Sequence, residues 1–125
     1  MILRGGRSAP NYGADAVAAT LALLRAAELS ERLMIDLSHD NSGKHPELQP
    51  AVAADVGAQI AAGSRAVVGT MLESFLVGGR QDLVPGTELT YGQSITDGCL
   101  GWETTIDVLD GLARAVRDRR RGGIA

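Results

Sequence analysis

Three polar residues in this 125-residue sequence, His39, Glu73 and Asp97, are of types that bind divalent metal ions. One imidazole nitrogen with two carboxylates suits ions such as Mn²⁺, Fe²⁺ or Zn²⁺. Arg4 could clamp a phosphate or carboxylate, because its guanidinium fork matches the geometry of those anions. Lys44 could add a second positive charge. These residue types predict a metal site beside an anion-binding site.

The candidate residues follow predicted strands. Apolar runs typical of buried strands occur three times, at Met1–Leu3, Leu33–Leu37 and Ala66–Leu72. Arg4 ends the first run, Asp36, Ser38 and His39 end the second and Glu73 ends the third, while Asp97 lies in a long loop before the last helix. In a parallel sheet or barrel such ends lie on one face, so these side chains are expected to converge.

Helical periodicity separates the strands. Helices are predicted for Asp15–Leu29, from Pro46 to Gly63, and for Trp102–Arg119. The apolar face of the last helix is predicted to contain Ile106, Leu109, Ala113 and Val116. The stretch from Glu73 to about Gly101 is predicted to be irregular. This alternation predicts an α/β fold with parallel strands, either a small doubly wound sheet or part of a (β/α)8 barrel.

Each candidate residue also has a simpler interpretation. His39 and Glu73 are equally typical of polar loop residues that bind nothing. Asp97 could cap the last helix or hold its loop through local hydrogen bonds. Arg4 and the two glycines that follow it could form only a turn. From residue types and spacing alone, a sheet domain without a site therefore remains open.

Composition excludes several classes of function. A formal net charge of -3 gives no reason to expect a nucleic-acid partner, and a single cysteine allows no internal disulfide. The basic run Arg117–Arg121 is explained by a helix C-terminus, which cations stabilise. No apolar stretch reaches the roughly 18 residues that a membrane span needs, and no signal-peptide pattern begins the chain. A soluble cytoplasmic protein is expected.

Four segments resemble signature stretches of the type I 3-deoxy-D-arabino-heptulosonate-7-phosphate (DAHP) synthases. They occur in the order and spacing of that family and extend over nearly the whole chain. The segments are Ile2–Gly6 with Pro10–Tyr12, Met34–Lys44, Gly69–Ser74 with Leu76–Val77, and Tyr91–Glu103. The last segment is highly specific by itself, and chance agreement at all four is negligible.

The resemblance implies a fold, a reaction and roles for residues. The family forms a (β/α)8 barrel. Residues 1–125 would be a single partial domain that comprises the three C-terminal βα units of that barrel. The family is a metal-dependent transferase that condenses phosphoenolpyruvate with erythrose 4-phosphate in the shikimate pathway. By resemblance His39, Glu73 and Asp97 bind Mn, Fe, Co or Zn, with His39 and Asp97 also catalytic. Arg4 would bind the phosphoenolpyruvate phosphate, and Lys44 is a further substrate-binding candidate.

The sequence also departs from the family pattern. A (β/α)8 barrel typically needs about 250 residues, so most of the barrel is absent. The cysteine that serves the family as fourth metal ligand belongs to the absent part, and Cys99 matches a different cysteine. Within the matched region, five residues in or beside these segments differ from the usual family residue: Asp40, Gly43, His45, Phe75 and Gly78.

Three explanations of the length remain open: a fragment of a longer enzyme, one subunit of a split enzyme, or a decayed remnant. The isolated chain is expected to be inactive and to associate with the missing N-terminal part or to form an oligomer, since open sheet edges invite pairing. A second class of function also remains open. The chain could be a non-catalytic binding or assembly module that uses its exposed sheet edge.

Overall fold

Two small sheets and three helices make up the fold. The computed structural model describes residues 1–122. In chain order the elements are β1 (Ile2–Leu3), α1 (Ala14–Ala26), β2 (Leu33–Asp36), α2 (Gln49–Ala61), β3 (Val67–Met71), β4 (Val77–Arg80), β5 (Gln93–Ser94) and α3 (Trp102–Gly122). The predicted α/β alternation is confirmed, with a strand before each of the three helices.

The main sheet is parallel, with the strand order β1-β2-β3. β2 is central: Leu3 pairs with Ile35 on one side, and Ile35 pairs with Thr70 on the other. Leu33 and Ile35 are completely buried, as expected for a strand that is covered on both faces. Because the strands are parallel, the polar residues that follow them lie at one edge of the sheet.

Helices cover this sheet with aliphatic side chains. The sequence places Val17, Leu21 and Leu24 on one face of α1, and Val52, Val56 and Ile60 on one face of α2. Both predicted faces are confirmed, because all six side chains belong to the core or pack against it. Burying a side chain of this size stabilises the fold by about 1.5–3 kcal/mol. The hydrophobic core thus holds β2 in place, and with it the residues that follow β2.

Two predicted helix boundaries were wrong by one turn. α1 ends at Ala26 rather than Leu29, because Glu28 adopts a left-handed conformation with φ of 56°. The segment Pro46–Leu48 forms a 3₁₀ turn before α2 begins at Gln49. Gly63 follows α2 with φ of 113°, as predicted for a residue that ends a helix.

The predicted apolar face of α3 was partly wrong. Thr105, Val108 and Ala115 are buried, whereas Ile106 and Leu109 are 39% and 47% exposed. α3 packs on α2 through small residues, since a side chain at Gly57 would begin 3.7 Å from the Ala115 methyl group. The choice of face therefore depends on the shape of α2. Within residues 1–122, no helix combines the length and the apolar character needed to cross a membrane.

The stretch from Glu73 to Gly101 is less irregular than predicted. β4 and β5 pair within it, with Val77 opposite Gln93. The Gln81 side chain supports the pairing by donating to the carbonyl oxygens of Thr90 and Gln93 at 2.8 and 3.0 Å. The glycine-rich sequence of β4 concealed this strand, because glycine is depleted in strands and has no side chain to pack.

Candidate metal centre

The structure brings His39, Glu73 and Asp97 together. One potential ligand atom from each of these residues lies within 4.8 Å of the others. His39 Nε2 is 3.5 Å from Glu73 Oε1. The three residues line a cavity of about 10 Å³, which has room for one ion or water molecule but not for an organic substrate. The proximity predicted from the strand ends is confirmed.

The first of these residues, His39, lies in a 3₁₀ turn (residues 39–41) directly after β2. Its φ of 46° is in the left-handed region, which is uncommon for residues other than glycine. The ring lies against two side chains from the end of β2: its Nδ1 is 2.6 Å from Asp36 Oδ2 and 3.0 Å from Ser38 Oγ. Asp36 and Ser38 are 1% and 2% exposed, so His39 rests on a buried polar group.

A buried asparagine at the end of this turn, Asn41, joins the ends of β1 and β2. Its side-chain Nδ2 donates to the carbonyl oxygens of Asp36 at 2.7 Å and Leu3 at 3.2 Å. Its Oδ1 accepts from the Asn11 backbone N–H at 2.8 Å. Sequence reasoning assigned Asn41 no role. Only its residue type could have indicated this role, since asparagine side chains commonly form hydrogen bonds to nearby backbone in turns.

A second buried amide, that of Gln49, positions Glu73. The Gln49 Oε1 accepts from the Glu73 backbone N–H at 3.0 Å, and its Nε2 donates to the Glu73 carbonyl oxygen at 3.2 Å. Gln49 is 1% exposed at the start of α2. The sequence carries no signal for this contact, because the partners are 24 residues apart and a glutamine at a helix start is ordinary.

The third of the residues, Asp97, reaches the cluster from an exposed loop. It lies well before α3, which begins at Trp102, so the structure does not place it as a cap of that helix. The neighbouring Cys99 Sγ is 3.9 Å from Glu73 Oε2. Burial, followed by the nearby carboxylates of Glu73 and Asp97, raises the pKa of the Cys99 thiol above its ordinary value.

The two basic candidates lie beside the cluster. Lys44 lines the same small cavity as His39, Glu73 and Asp97. Arg4 is exposed and lines an adjoining cleft of about 420 Å³, which also contains His39. Lys44 thus shares a cavity with all three candidate ligands, whereas Arg4 shares a cleft with His39 alone among them.

A glycine brings the loop after β1 close to the His39 turn. Gly5 has φ of 92°, and a Cβ at this position would lie 2.6 Å from backbone atoms of Asp40 and Asn41. Only glycine combines this backbone conformation with so close an approach. The Gly5 N–H donates to Asn11 Oδ1 at 2.8 Å, which fixes the loop that presents Arg4.

The largest cleft, about 920 Å³, lies elsewhere. It runs along β3 and is lined by residues from Ser30 to Arg32 and from Arg65 to Thr70, together with side chains of α2 and α3. None of the three candidate metal ligands lines it. The positions of the candidate donor atoms therefore favour the small cavity, and not the cleft along β3, as the metal site.

Comparisons with known proteins identify relatives over nearly the whole chain. Residues 1–110 match the model of the DAHP synthetase I family. A tyrosine-inhibited phospho-2-dehydro-3-deoxyheptonate aldolase of Schizosaccharomyces pombe is 49% identical over an alignment 125 residues long, and the match covers 97% of this chain and 34% of the relative. The Phe-sensitive aldolase of Escherichia coli K12 is 51% identical over 120 residues, 96% of this chain and 34% of the relative.

A solved structure agrees with these sequence relatives. The chain is similar to phospho-2-dehydro-3-deoxyheptonate aldolase from Francisella tularensis SCHU S4, with a TM-score of 0.90 and 45% sequence identity. The match covers 94% of this chain and 34% of the other. The chain thus spans about a third of the length of the relatives that it matches.

Proposed function

Because the chain belongs to the DAHP synthetase I family, we propose that it supplies metal-binding and substrate-binding residues to a metal-dependent DAHP synthase. The reaction joins phosphoenolpyruvate, erythrose 4-phosphate and water to give DAHP and phosphate. The convergence of His39, Glu73 and Asp97 carries the proposal. A cytoplasmic location and a role in aromatic amino acid biosynthesis are parts of this proposal.

The donor set fits a divalent ion. One imidazole nitrogen and two carboxylates suit Mn²⁺, Fe²⁺, Co²⁺ or Zn²⁺, and the His39 Nε2 faces Glu73. Such an ion acts as a Lewis acid, which would polarise the aldehyde of erythrose 4-phosphate or orient a water molecule. His39 and Asp97 would therefore act at the reacting atoms through the ion that they hold, and Glu73 would complete the ligands from this chain.

Arg4 and Lys44 would bind the anionic groups of the substrates. The reaction forms a bond between the methylene carbon of phosphoenolpyruvate and the aldehyde carbon of erythrose 4-phosphate, adds water and releases phosphate. Both substrates carry phosphate, so cations must hold them together against their mutual repulsion. We assign the phosphoenolpyruvate phosphate to Arg4, whose cleft adjoins His39, and a supporting charge to Lys44.

The proposal includes a (β/α)8 barrel to which this chain contributes the three C-terminal βα units. The three parallel strands, each followed by a helix, support this assignment. The remaining units would come from the N-terminal part of the enzyme, or from further copies of the chain in an oligomer. Without them one or two cations cannot organise two phosphates and a carboxylate, so we propose that the isolated chain is inactive.

Calorimetry with Mn²⁺ tests the metal site directly. We expect binding weaker than nanomolar, because three ligands on a partial site hold an ion poorly. His39→Ala should abolish measurable binding, whereas His45→Ala should leave it unchanged. His45 is the matched control because it is the second of the two histidines and its side chain is 65% exposed. Equal binding by both variants would refute the site.

Complementation tests the reaction. The chain is mixed with a separately expressed N-terminal part of the E. coli Phe-sensitive relative, and phosphate release is followed with both substrates. We expect turnover that requires both polypeptides, is lost in His39→Ala and persists in His45→Ala. Turnover by the chain alone would refute dependence on a partner. Tight association without turnover would instead favour the non-catalytic assembly module.

A further inference from the structure

We infer that Asp36 is a positioning residue that holds the neutral His39 ring with its proton on Nδ1. The unprotonated Nε2 is then directed at Glu73, where its lone pair can bind a cation. The functional meaning of this arrangement rests on the proposed metal site, but the geometry of the Asp36–His39 pair does not. The strand pattern placed Asp36 at the end of β2 without a specific role, and the family resemblance assigned it none.

Contacts around Asp36 determine which of its oxygens is available to His39. Oδ1 accepts two hydrogen bonds from Ser38, from its backbone N–H at 2.9 Å and from its hydroxyl at 2.6 Å. Oδ2 lies 2.6 Å from His39 Nδ1. An ionised carboxylate can only accept hydrogen bonds, so the proton between Oδ2 and Nδ1 belongs to the imidazole.

The hydroxyl of Ser38 does not compete for this role. Its oxygen is 3.0 Å from His39 Nδ1, but its one hydrogen is directed to the nearer Asp36 oxygen. Ser38 therefore steadies the carboxylate, while the carboxylate selects the tautomer of His39. Within residues 1–122 no buried side-chain nitrogen or oxygen lacks a hydrogen-bond partner, so the group is satisfied without further ligands on the Asp36 side.

The other ring nitrogen faces the cluster. Nε2 is 3.5 Å from Glu73 Oε1, on the side where Asp97 also reaches the site. The left-handed φ of His39 turns the residue back over the end of β2, three residues after Asp36. Hydrogen bonding of the non-ligating nitrogen to a carboxylate orients metal-binding histidines and raises their basicity.

Imidazole ¹⁵N NMR on the chain without metal tests the tautomer, at about pH 8.5 where a histidine is ordinarily neutral. The chain has two histidines, so His45→Ala assigns the signals of His39. We expect the shifts of an Nδ1–H tautomer for His39. An Nε2–H tautomer in the wild-type chain would overturn the inference, and this readout requires no substitution at Asp36.

Metal affinity gives the second test, with Asp36→Asn compared to Asp40→Asn. The two changes are chemically identical, but Asp40 is exposed, and the polar partners of the His39 ring are Asp36, Ser38 and Glu73. With folding verified by circular dichroism, we expect Asp36→Asn to weaken Mn²⁺ binding by about 10–100-fold and Asp40→Asn to have little effect. Unchanged affinity and an unchanged tautomer in Asp36→Asn would overturn the inference.

The two proposals fail separately. An Nδ1–H tautomer in a chain that binds no Mn²⁺ would support the role of Asp36 while refuting the metal site. Mn²⁺ binding that depends on His39, in a chain whose His39 is the Nε2–H tautomer, would support the metal site while refuting the role of Asp36.

Discussion

Two regions of the molecule present the candidate ligands in different ways. The inner region, residues 33–49, contains β2, the His39 turn and Gln49, and its polar side chains Asp36, Ser38 and Asn41 are at most 3% exposed. The outer segment, residues 74–101, carries Asp97 and exposes large apolar side chains: Phe75, Leu76, Val77, Leu83, Val84, Leu89, Tyr91 and Ile95. The inner region is held by burial, and the outer segment largely by its own backbone pairing.

The two regions hold the candidate ligands in place to different degrees. The orientation of His39 and the backbone of Glu73 are set by hydrogen bonds to the buried residues Asp36 and Gln49. Asp97 depends on a segment with little packed surface, and such segments open locally at low cost. Two of the candidate ligands are therefore preorganised, while the position of the third, Asp97, responds most easily to changes in its surroundings.

The largest expected difference between the two regions is in the free energy of unfolding, when Ile35→Ala is compared with Ile95→Ala. Ile35 is completely buried in β2, whereas Ile95 is 45% exposed in the outer segment. Ile35→Ala should lower the free energy of unfolding by about 2–5 kcal/mol, and Ile95→Ala by less than about 1 kcal/mol. Urea unfolding measures both. Equal losses would show that the outer segment is as tightly packed as the inner region.

A comparison of Gly5→Ala with Gly86→Ala separates the stability cost of backbone strain from that of steric clash. Both glycines have positive φ, 92° and 81°, which costs alanine about 1–2 kcal/mol. A methyl group at Gly5 also meets backbone atoms of the His39 turn at 2.6 Å, whereas at Gly86 nothing lies within 4 Å. We expect Gly5→Ala to cost about 1–3 kcal/mol more than Gly86→Ala in urea unfolding. Similar costs would contradict close contact between the Arg4 loop and that turn.

Gln49→Ala and Gln93→Ala compare two glutamines that bond to backbone. Gln49 is buried and its loss leaves the Glu73 N–H without its acceptor, whereas Gln93 donates to the Gly78 carbonyl oxygen near solvent. Gln49→Ala should lower the free energy of unfolding by about 1–3 kcal/mol, and Gln93→Ala by less. Mn²⁺ affinity should also fall in Gln49→Ala. A loss of stability with unchanged affinity would show that Gln49 does not position Glu73.

The smallest expected effect is the difference in Mn²⁺ affinity between Asp97→Ala and Glu73→Ala. We expect Asp97→Ala to weaken Mn²⁺ binding less than Glu73→Ala, because the backbone of Glu73 is held in place and Asp97 must be ordered when an ion binds. The difference should be about tenfold, or 1.4 kcal/mol. Glu88→Ala, an exposed carboxylate of the outer segment, is the control. A greater loss in Asp97→Ala would reverse the comparison of the two regions.

The sequence by itself determined the order of the main elements and the proximity of the three candidate ligands. Apolar runs identified β1, β2 and β3, and the parallel arrangement they predict placed His39, Glu73 and Asp97 at one edge. Periodicity also identified the buried faces of α1 and α2. These inferences succeeded because they depend on residue type and local spacing, which the chain carries directly.

Only the tertiary structure decided how the site is held and which surface of α3 is buried. Asn41 bonds to Leu3 across 38 residues and Gln49 bonds to Glu73 across 24, distances over which spacing carries no information. Thr105, and not Ile106, is buried because its hydroxyl meets Ser74 Oγ at 2.6 Å and its neighbours fit the small residues of α2. Such choices depend on the shape of a partner surface, and that surface exists only after the chain has folded.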